Sequence, residues 1–460
     1  MLELRRIFDW LTQASFMGTG AERVSGISTD TRAIAPQSLF VAIRGERFDA
    51  HDFAVSARAA GAAAVMVEHW VPGLKPPAIR VADTRRALGE IARGWRQQFT
   101  IPVVAVTGSN GKTTVKEMIA AIFAESAGAD ASLATRGNLN NEIGVPMTLL
   151  ALRAAHRLAV IELGMNHPGE IAWLADIAQP SVALVNNAQR EHQEFLQSVA
   201  ATARENGAAI SALKAEGTAV YPGDDREHTP IWRGLAQTRC ALEFGLSEDG
   251  RGIDERSLAV WARPDALPVT FTMHLAGQAL EVRLAIDGAH NVRNALAAAA
   301  CALAAGVEPE CIARGLARFS PAPGRLVRHR LPNGALLIDD SYNANPDSVL
   351  AAIALLAGLP GPRVLILGDM GEVGDKGPQW HREVGERAAA TGIEHVLLAG
   401  QATRETAAGC GAIAEYFGED VAALGVRAQA LVAAAPASSL LVKGSRFMRM
   451  ERVVSALVGT

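Results

Sequence analysis

At 460 residues, with 49% hydrophobic and 20% charged residues, the chain is long enough for about two to four packed domains. A net charge of −4 argues against a nucleic-acid protein, which carries a basic face, and Met1-Leu2-Glu3-Leu4-Arg5-Arg6 opens no apolar leader. The longest apolar run, 295–305, is too short to span a membrane, and the four scattered cysteines (Cys240, Cys301, Cys311, Cys410) form no C-x-x-C pair, so a soluble cytoplasmic protein without a zinc or disulfide framework is expected.

Strand-like and helical runs alternate along the chain, which predicts parallel sheets with crossover helices. A first block, 1–83, carries strands at 38–43 and 63–67 with a helix at 53–60 between them. A helix over 84–98 leads into the second block, 84–320, and Pro102 opens its first strand at 103. Further core strands fall at 158–163, 182–186 and 218–221. Val269, Phe271, Met273 and Leu275 alternate with polar residues, as do Leu280, Val282, Leu284 and Ile286. Ala276-Gly277-Gln278 lies between them, which predicts an antiparallel pair. Ser320-Pro321-Ala322-Pro323-Gly324-Arg325 reads as a hinge. The third block, 321–460, repeats strand–helix units with strands at 336–339, 363–367, 395–399 and 439–442.

The most informative segment is Thr107-Gly108-Ser109-Asn110-Gly111-Lys112-Thr113-Thr114. It follows the β-branched run Val103, Val104, Val106 and precedes a helix with Val115, Met118, Ile119, Ile122 and Phe123 on one face. A strand, a glycine turn and a helix N-terminus make a phosphate cradle. Backbone N–H groups and the helix dipole face the anion, Lys112 reaches the terminal phosphates, and a threonine hydroxyl suits Mg²⁺. Val106 stands where the first glycine of the general pattern belongs, so this is a shorter form of the loop.

Other strand ends carry polar groups. Glu162 closes an apolar strand beside the loop, where a carboxylate can hold Mg²⁺ directly or through water; otherwise it is a surface glutamate. His192 follows the strand at 182–186 and is either a metal ligand or an ordinary surface histidine. The stretch 135–144 is dense in Asn and Gly and is a polar ligand loop or a plain turn. Asn291 and Asn294, at the start of an Ala-rich helix, read a base edge or cap the helix. Asp339-Asp340-Ser341-Tyr342-Asn343-Ala344-Asn345-Pro346 crowds polar groups into one strand-to-helix turn. Gly368-Asp369-Met370-Gly371-Glu372 and Lys443-Gly444-Ser445-Arg446 end two more strands.

Taken together, TGSNGKTT, the strand end Glu162-Leu163-Gly164, His192, GAHNVRNALAA and Pro323-Gly324-Arg325 resemble the Mur ligase family, ATP-dependent amide-bond-forming enzymes of bacterial peptidoglycan synthesis. The motifs DDSYNANPDS, GDMGEVG with the later HREVG, RGNLNNEIGVP and VKGSR are similar to the branch that adds D-alanyl-D-alanine to UDP-N-acetylmuramoyl-tripeptide. The resemblance spans all three blocks in order.

It implies an α/β fold of three domains: a smaller N-terminal domain (1–83) for the UDP substrate, a central P-loop ATPase domain with a mostly parallel sheet (84–320), and a C-terminal Rossmann-like domain (321–460) contributing to ATP and D-Ala-D-Ala binding. The implied cofactors are ATP and Mg²⁺. Gly108, Ser109, Asn110, Gly111, Lys112, Thr113 and Thr114 would hold phosphates. Thr113 and Glu162 would hold one Mg²⁺, with His192 near a second. Lys112, Glu162 and His192 would form the catalytic set. Asn291 and Asn294 would contact adenine, with Arg325 at the phosphates and Asp340 at the ribose. Thr29, Asp30, Thr31 and Arg32 resemble the uridine-nucleotide site. Asn138, Asn140 and Asn141 would face the muramoyl substrate, and Tyr342, Asn343 and Asn345 the dipeptide or nucleotide. The expected partners are these small molecules, with no nucleic acid and no membrane span, and a monomer is expected.

One position departs from the family. Relatives often carry a carbamylated lysine about a dozen residues after the histidine, and here Asn206 takes its place. Glu205, water or a weak second metal site would have to compensate. The competing readings are another Mur-type or folylpolyglutamate-type ligase, a small-molecule kinase, and a P-loop regulator that is no ligase.

Overall fold

The computed structural model describes residues 2–45, 47–247, 258–263 and 270–459. Three α/β bodies succeed one another along the chain, each built on its own sheet. In the first, Gly26–Ser28, Ser38–Val41, Ala64–Val67 and Ala78–Arg80 run parallel, and Ser15–Met17 joins antiparallel to Ala78–Arg80. Ser38–Val41 and Ala64–Val67 are buried along their whole length, as continuous apolar runs in parallel sheets should be.

Among the described residues, nine strands form the central sheet. Val103–Thr107 lies between Leu158–Glu162 and Val182–Val185. Thr218–Pro222, Cys240–Leu246 and Val260–Ala262 extend it in parallel on one side, and Ser132–Ala134 on the other. Alternate residues serve two cores. Val104 and Val106 pack with Val115, Met118 and the Ala-rich helix Ala289–Ala304, while Val103 and Ala105 pack with Ile161, Leu174 and Ile210. The expected antiparallel pair is present as Thr270–Leu275 and Gln278–Arg283, shorter than its hydrophobic pattern, while Val269 lies outside the described residues.

In the third body the order is Val327–Arg330, Leu336–Asp340, Ser439–Lys443, Arg363–Gly368, His395–Ala399, Ala414–Tyr416, with only the first strand antiparallel. The hydrophobic pattern leaves out several strands, among them Ser132–Ala134 and Ala414–Tyr416. Both lie at sheet edges, where so short and incompletely buried a segment carries too little alternation to register.

Parallel register sets where the loops emerge. Val106 pairs with Glu162 on one side and Leu184 on the other, and Thr107 pairs with Val185. The phosphate loop, Glu162 and the 186–192 loop therefore leave the sheet at one edge. The Asp340–Lys443 pairing likewise brings two strand ends of the third sheet together. Among the described residues, no helix is long and apolar enough to cross a membrane.

Candidate functional site

The loop after Val103–Thr107 turns at two glycines that no other residue replaces easily. Gly108 has φ +129°, and a Cβ there would lie 3.0 Å from the Asn186 backbone nitrogen. Gly111 has φ +81° and caps the helix Lys112–Ala127 without a side chain, so the first-turn N–H groups stay open to an anion. Lys112 Nζ donates to the Gly108 and Ser109 carbonyls at 2.6 and 3.1 Å and to the Glu191 carboxylate at 3.1 Å. Thr113 Oγ1 donates to Glu162 Oε1 at 3.3 Å, and Asn140 Nδ2 donates to the same oxygen at 2.7 Å. Glu162 is buried and its Oε2 has no hydrogen-bond partner. A buried, unpartnered carboxylate oxygen beside a threonine hydroxyl fits a hard divalent cation that keeps waters and phosphates as its other ligands. Among the described residues, no three His, Cys, Asp or Glu side chains converge as a protein-only metal cage.

A chain of amides braces the loop from behind. Asn110 N–H donates to Asn187 Oδ1 at 2.8 Å, and Asn186 and Asn187 both donate to the Asn110 carbonyl. Asn186 also donates to Asn294 Oδ1 at 2.9 Å, and Asn294 donates to Asn291. Both Asn291 and Asn294 are buried. Asn206 belongs to this scaffold. Its Oδ1 accepts the Gly108 N–H at 2.9 Å, its Nδ2 donates to the Thr202 carbonyl, and it is buried. Glu205 accepts the Gly169 and Ile171 N–H groups at 2.9 and 3.1 Å, at the start of the helix Glu170–Ala178. Its Oε1 is thus engaged at a helix N-terminus.

The third body closes the cleft. Asp340 accepts from Lys443 Nζ at 2.5 Å, and Lys443 also donates to the Asn343 carbonyl. Burial pushes the Asp340 carboxyl up, against the pull of the Lys443 ammonium. The Arg325 guanidinium lies 4.3 Å from the Tyr342 ring centroid. Asn345 caps the helix Pro346–Ala357 and exchanges amide hydrogen bonds with Asn110 at 2.8 and 3.2 Å. His192 Nδ1 lies 2.5 Å from Glu372 Oε2, and this contact holds the Glu372 carboxyl below its ordinary range.

Lys112, Thr113, Glu162, His192, Asn291, Asn294, Arg325, Asp340, Tyr342, Asn343 and Asn345 all line one cleft of about 1040 Å³, as do Ser109, Asn110, Gly111, Thr114, Asn138, Asn140 and Asn141. Asn141 uses its Oδ1 on the Ile143 and Gly144 N–H groups, starting a helix. Thr29, Asp30, Thr31 and Arg32 do not line the cleft. Asp30 holds Arg32 at 2.7 Å, and that pairing brings its carboxyl down to about 2. Asn186, Asn187, Glu191 and Lys443 receive no role from sequence reasoning. Each sits at or just past a strand end, which was the available signal; only the fold shows that they face the phosphate loop or Asp340.

This geometry defines a nucleotide-type P-loop protein whose cleft is shared between two α/β bodies. Three family models match in order: "Mur ligase family, catalytic domain" over 23–96, "Mur ligase middle domain" over 106–302 and "Mur ligase, glutamate ligase domain" over 324–446. The chain is 43% identical to the UDP-N-acetylmuramoyl-tripeptide–D-alanyl-D-alanine ligase of Escherichia coli, covering 94% of both proteins. Its fold is similar to MurF from Acinetobacter baumannii, with a TM-score of 0.89 at 34% identity, over 99% of this chain and 98% of the other. It is also similar to the MurF ligase from Thermotoga maritima in complex with ADP, with a TM-score of 0.82 at 25% identity, over 95% and 97%. The chain belongs to the Mur ligase family.

Proposed function

We propose that the chain joins D-alanyl-D-alanine to UDP-N-acetylmuramoyl-tripeptide using ATP, as an acid–D-amino-acid ligase of peptidoglycan synthesis. The observation that carries this reading is a lysine-headed phosphate loop facing the Asp340–Lys443 strand ends across one cleft. The relatives' named activity supplies the substrates. A carboxylate is a poor acyl donor at neutral pH and needs activation. The tripeptide carboxylate attacks the γ-phosphorus of ATP, ADP leaves, and an acyl phosphate forms. The dipeptide amine attacks its carbonyl carbon, phosphate leaves, and the nitrogen loses a proton as the amide forms.

Lys112 and the 108–114 backbone hold the phosphates and offset their charge, which is electrostatic positioning. Thr113 and Glu162 would hold one Mg²⁺ and His192 would contribute to a second; the cation would spread phosphate charge during transfer. Asn291 and Asn294 lie toward adenine, Asp340 toward the ribose, and Arg325 toward the phosphates. Thr29, Asp30, Thr31 and Arg32 take the uridine nucleotide, Asn138, Asn140 and Asn141 the muramoyl portion, and Tyr342, Asn343 and Asn345 the dipeptide or nucleotide. The working division is 1–83, 84–320 and 321–460, with a monomer acting in the cytoplasm. An acyl phosphate hydrolyses readily, so closure of the C-terminal body at 320–325 would exclude water.

The test is phosphate release by purified protein given ATP, Mg²⁺, UDP-N-acetylmuramoyl-tripeptide and D-Ala-D-Ala. Release that requires both acceptor and dipeptide, with pentapeptide product, supports the reading. Release without either, or a phosphorylated product, overturns it.

A further inference from the structure

Lys112 is held by a carboxylate that none of the assigned motifs includes. Glu191 Oε1 and Oε2 lie 3.1 and 3.3 Å from Lys112 Nζ. The Glu191 and Lys112 side chains are only 10% and 15% exposed, and both line the cleft. The Gly108 and Ser109 carbonyls fill out the ammonium's shell. His192 Nε2 lies 3.5 Å from the same Glu191 Oε1. The neighbouring acids are engaged elsewhere, Glu162 with Thr113 and Asn140, and Glu372 with His192.

A polyphosphate reaching this loop competes with Glu191 for the same ammonium. Taking Lys112 away breaks a charge-assisted hydrogen bond, and it leaves a poorly hydrated carboxylate facing phosphate oxygens. A divalent cation between the two would relieve that repulsion, and a carboxylate is a suitable ligand for it.

We propose that Glu191 is a displaceable counter-ion: it gives up Lys112 to the nucleotide phosphates and then faces the divalent cation, making nucleotide binding depend on that cation. The inference rests on the ATP reading above and concerns how that same site is regulated.

Calorimetric titration of the full chain with the non-hydrolysable ATP analogue AMPPNP, in EDTA and in Mg²⁺, tests it. Glu191→Gln is expected to bind AMPPNP about tenfold more tightly than wild type in EDTA, since one charged hydrogen bond no longer competes. The gain on adding Mg²⁺ is expected to shrink by about tenfold or more. Glu191→Ala should shift both quantities the same way, and melting curves confirm that both variants are folded. Metal-free binding no tighter than wild type in both variants overturns the inference while leaving the ATP reading intact. A wild type that binds no AMPPNP with Mg²⁺ overturns both.

Discussion

At the scale of single residues, buried polar groups hold both the site and the fold around it. Removing the Lys112 ammonium in Lys112→Ala should lower turnover by about 10²–10³-fold or more, the range for a lost preorganised donor, with an unchanged circular dichroism spectrum. Near-normal phosphate release would refute its role. His381 gives a pH prediction. It is fully buried, its Nε2 accepts the Met370 N–H at 3.3 Å, and its Nδ1 lies 2.9 Å from Thr406 Oγ1. Burial lowers its pKa from 6.5, so the folded chain keeps it neutral. Below that ordinary value the unfolded chain takes the proton more readily. The contribution to stability is therefore present above pH 6.5 and lost as pH falls toward the folded value. His381→Gln should melt earlier than wild type at neutral pH, and the gap should narrow on acidification; a constant gap would refute the assignment.

At the scale of elements, helix starts hold the cleft's polar groups in place. Asn345 caps Pro346–Ala357 in a reciprocal box with Ser348 while bonding to Asn110 across the cleft. Asn345→Ala should lose about 1 kcal/mol from the cap alone. Urea denaturation would measure that loss, and an unchanged midpoint would count against it. The phosphate-loop helix was legible because three signals agree: a β-branched strand, a glycine turn and an apolar helical face. Asn141 and Asn345 were harder, because an asparagine that caps a helix and one that meets a ligand look alike in sequence.

At the scale of the whole molecule, one loop of the central body docks the third. Arg190 donates to Asp347 at 2.7 Å and to Glu383 at 2.6 Å, and its own N–H meets Asp347. Against the cost of partial burial, these carboxylates raise its pKa. Arg190→Ala should loosen the two bodies, giving a larger radius of gyration by small-angle X-ray scattering and a KM for ATP raised about 5- to 30-fold, the equivalent of about 1–2 kcal/mol of lost charged bonding. An unaltered scattering profile would refute the latch.

The sequence by itself determined the three successive α/β blocks and the phosphate loop, because strand and helix periodicity and glycine conformation are local properties. It also marked strand ends that line the cleft, since parallel strands point their C-terminal ends to one edge. Only the tertiary structure decided that Asn206 braces Gly108, that Glu205 caps a helix and that Glu191 grips Lys112. Those pairings join residues between 36 and 98 positions apart and turn on side-chain direction, and no local pattern encodes either.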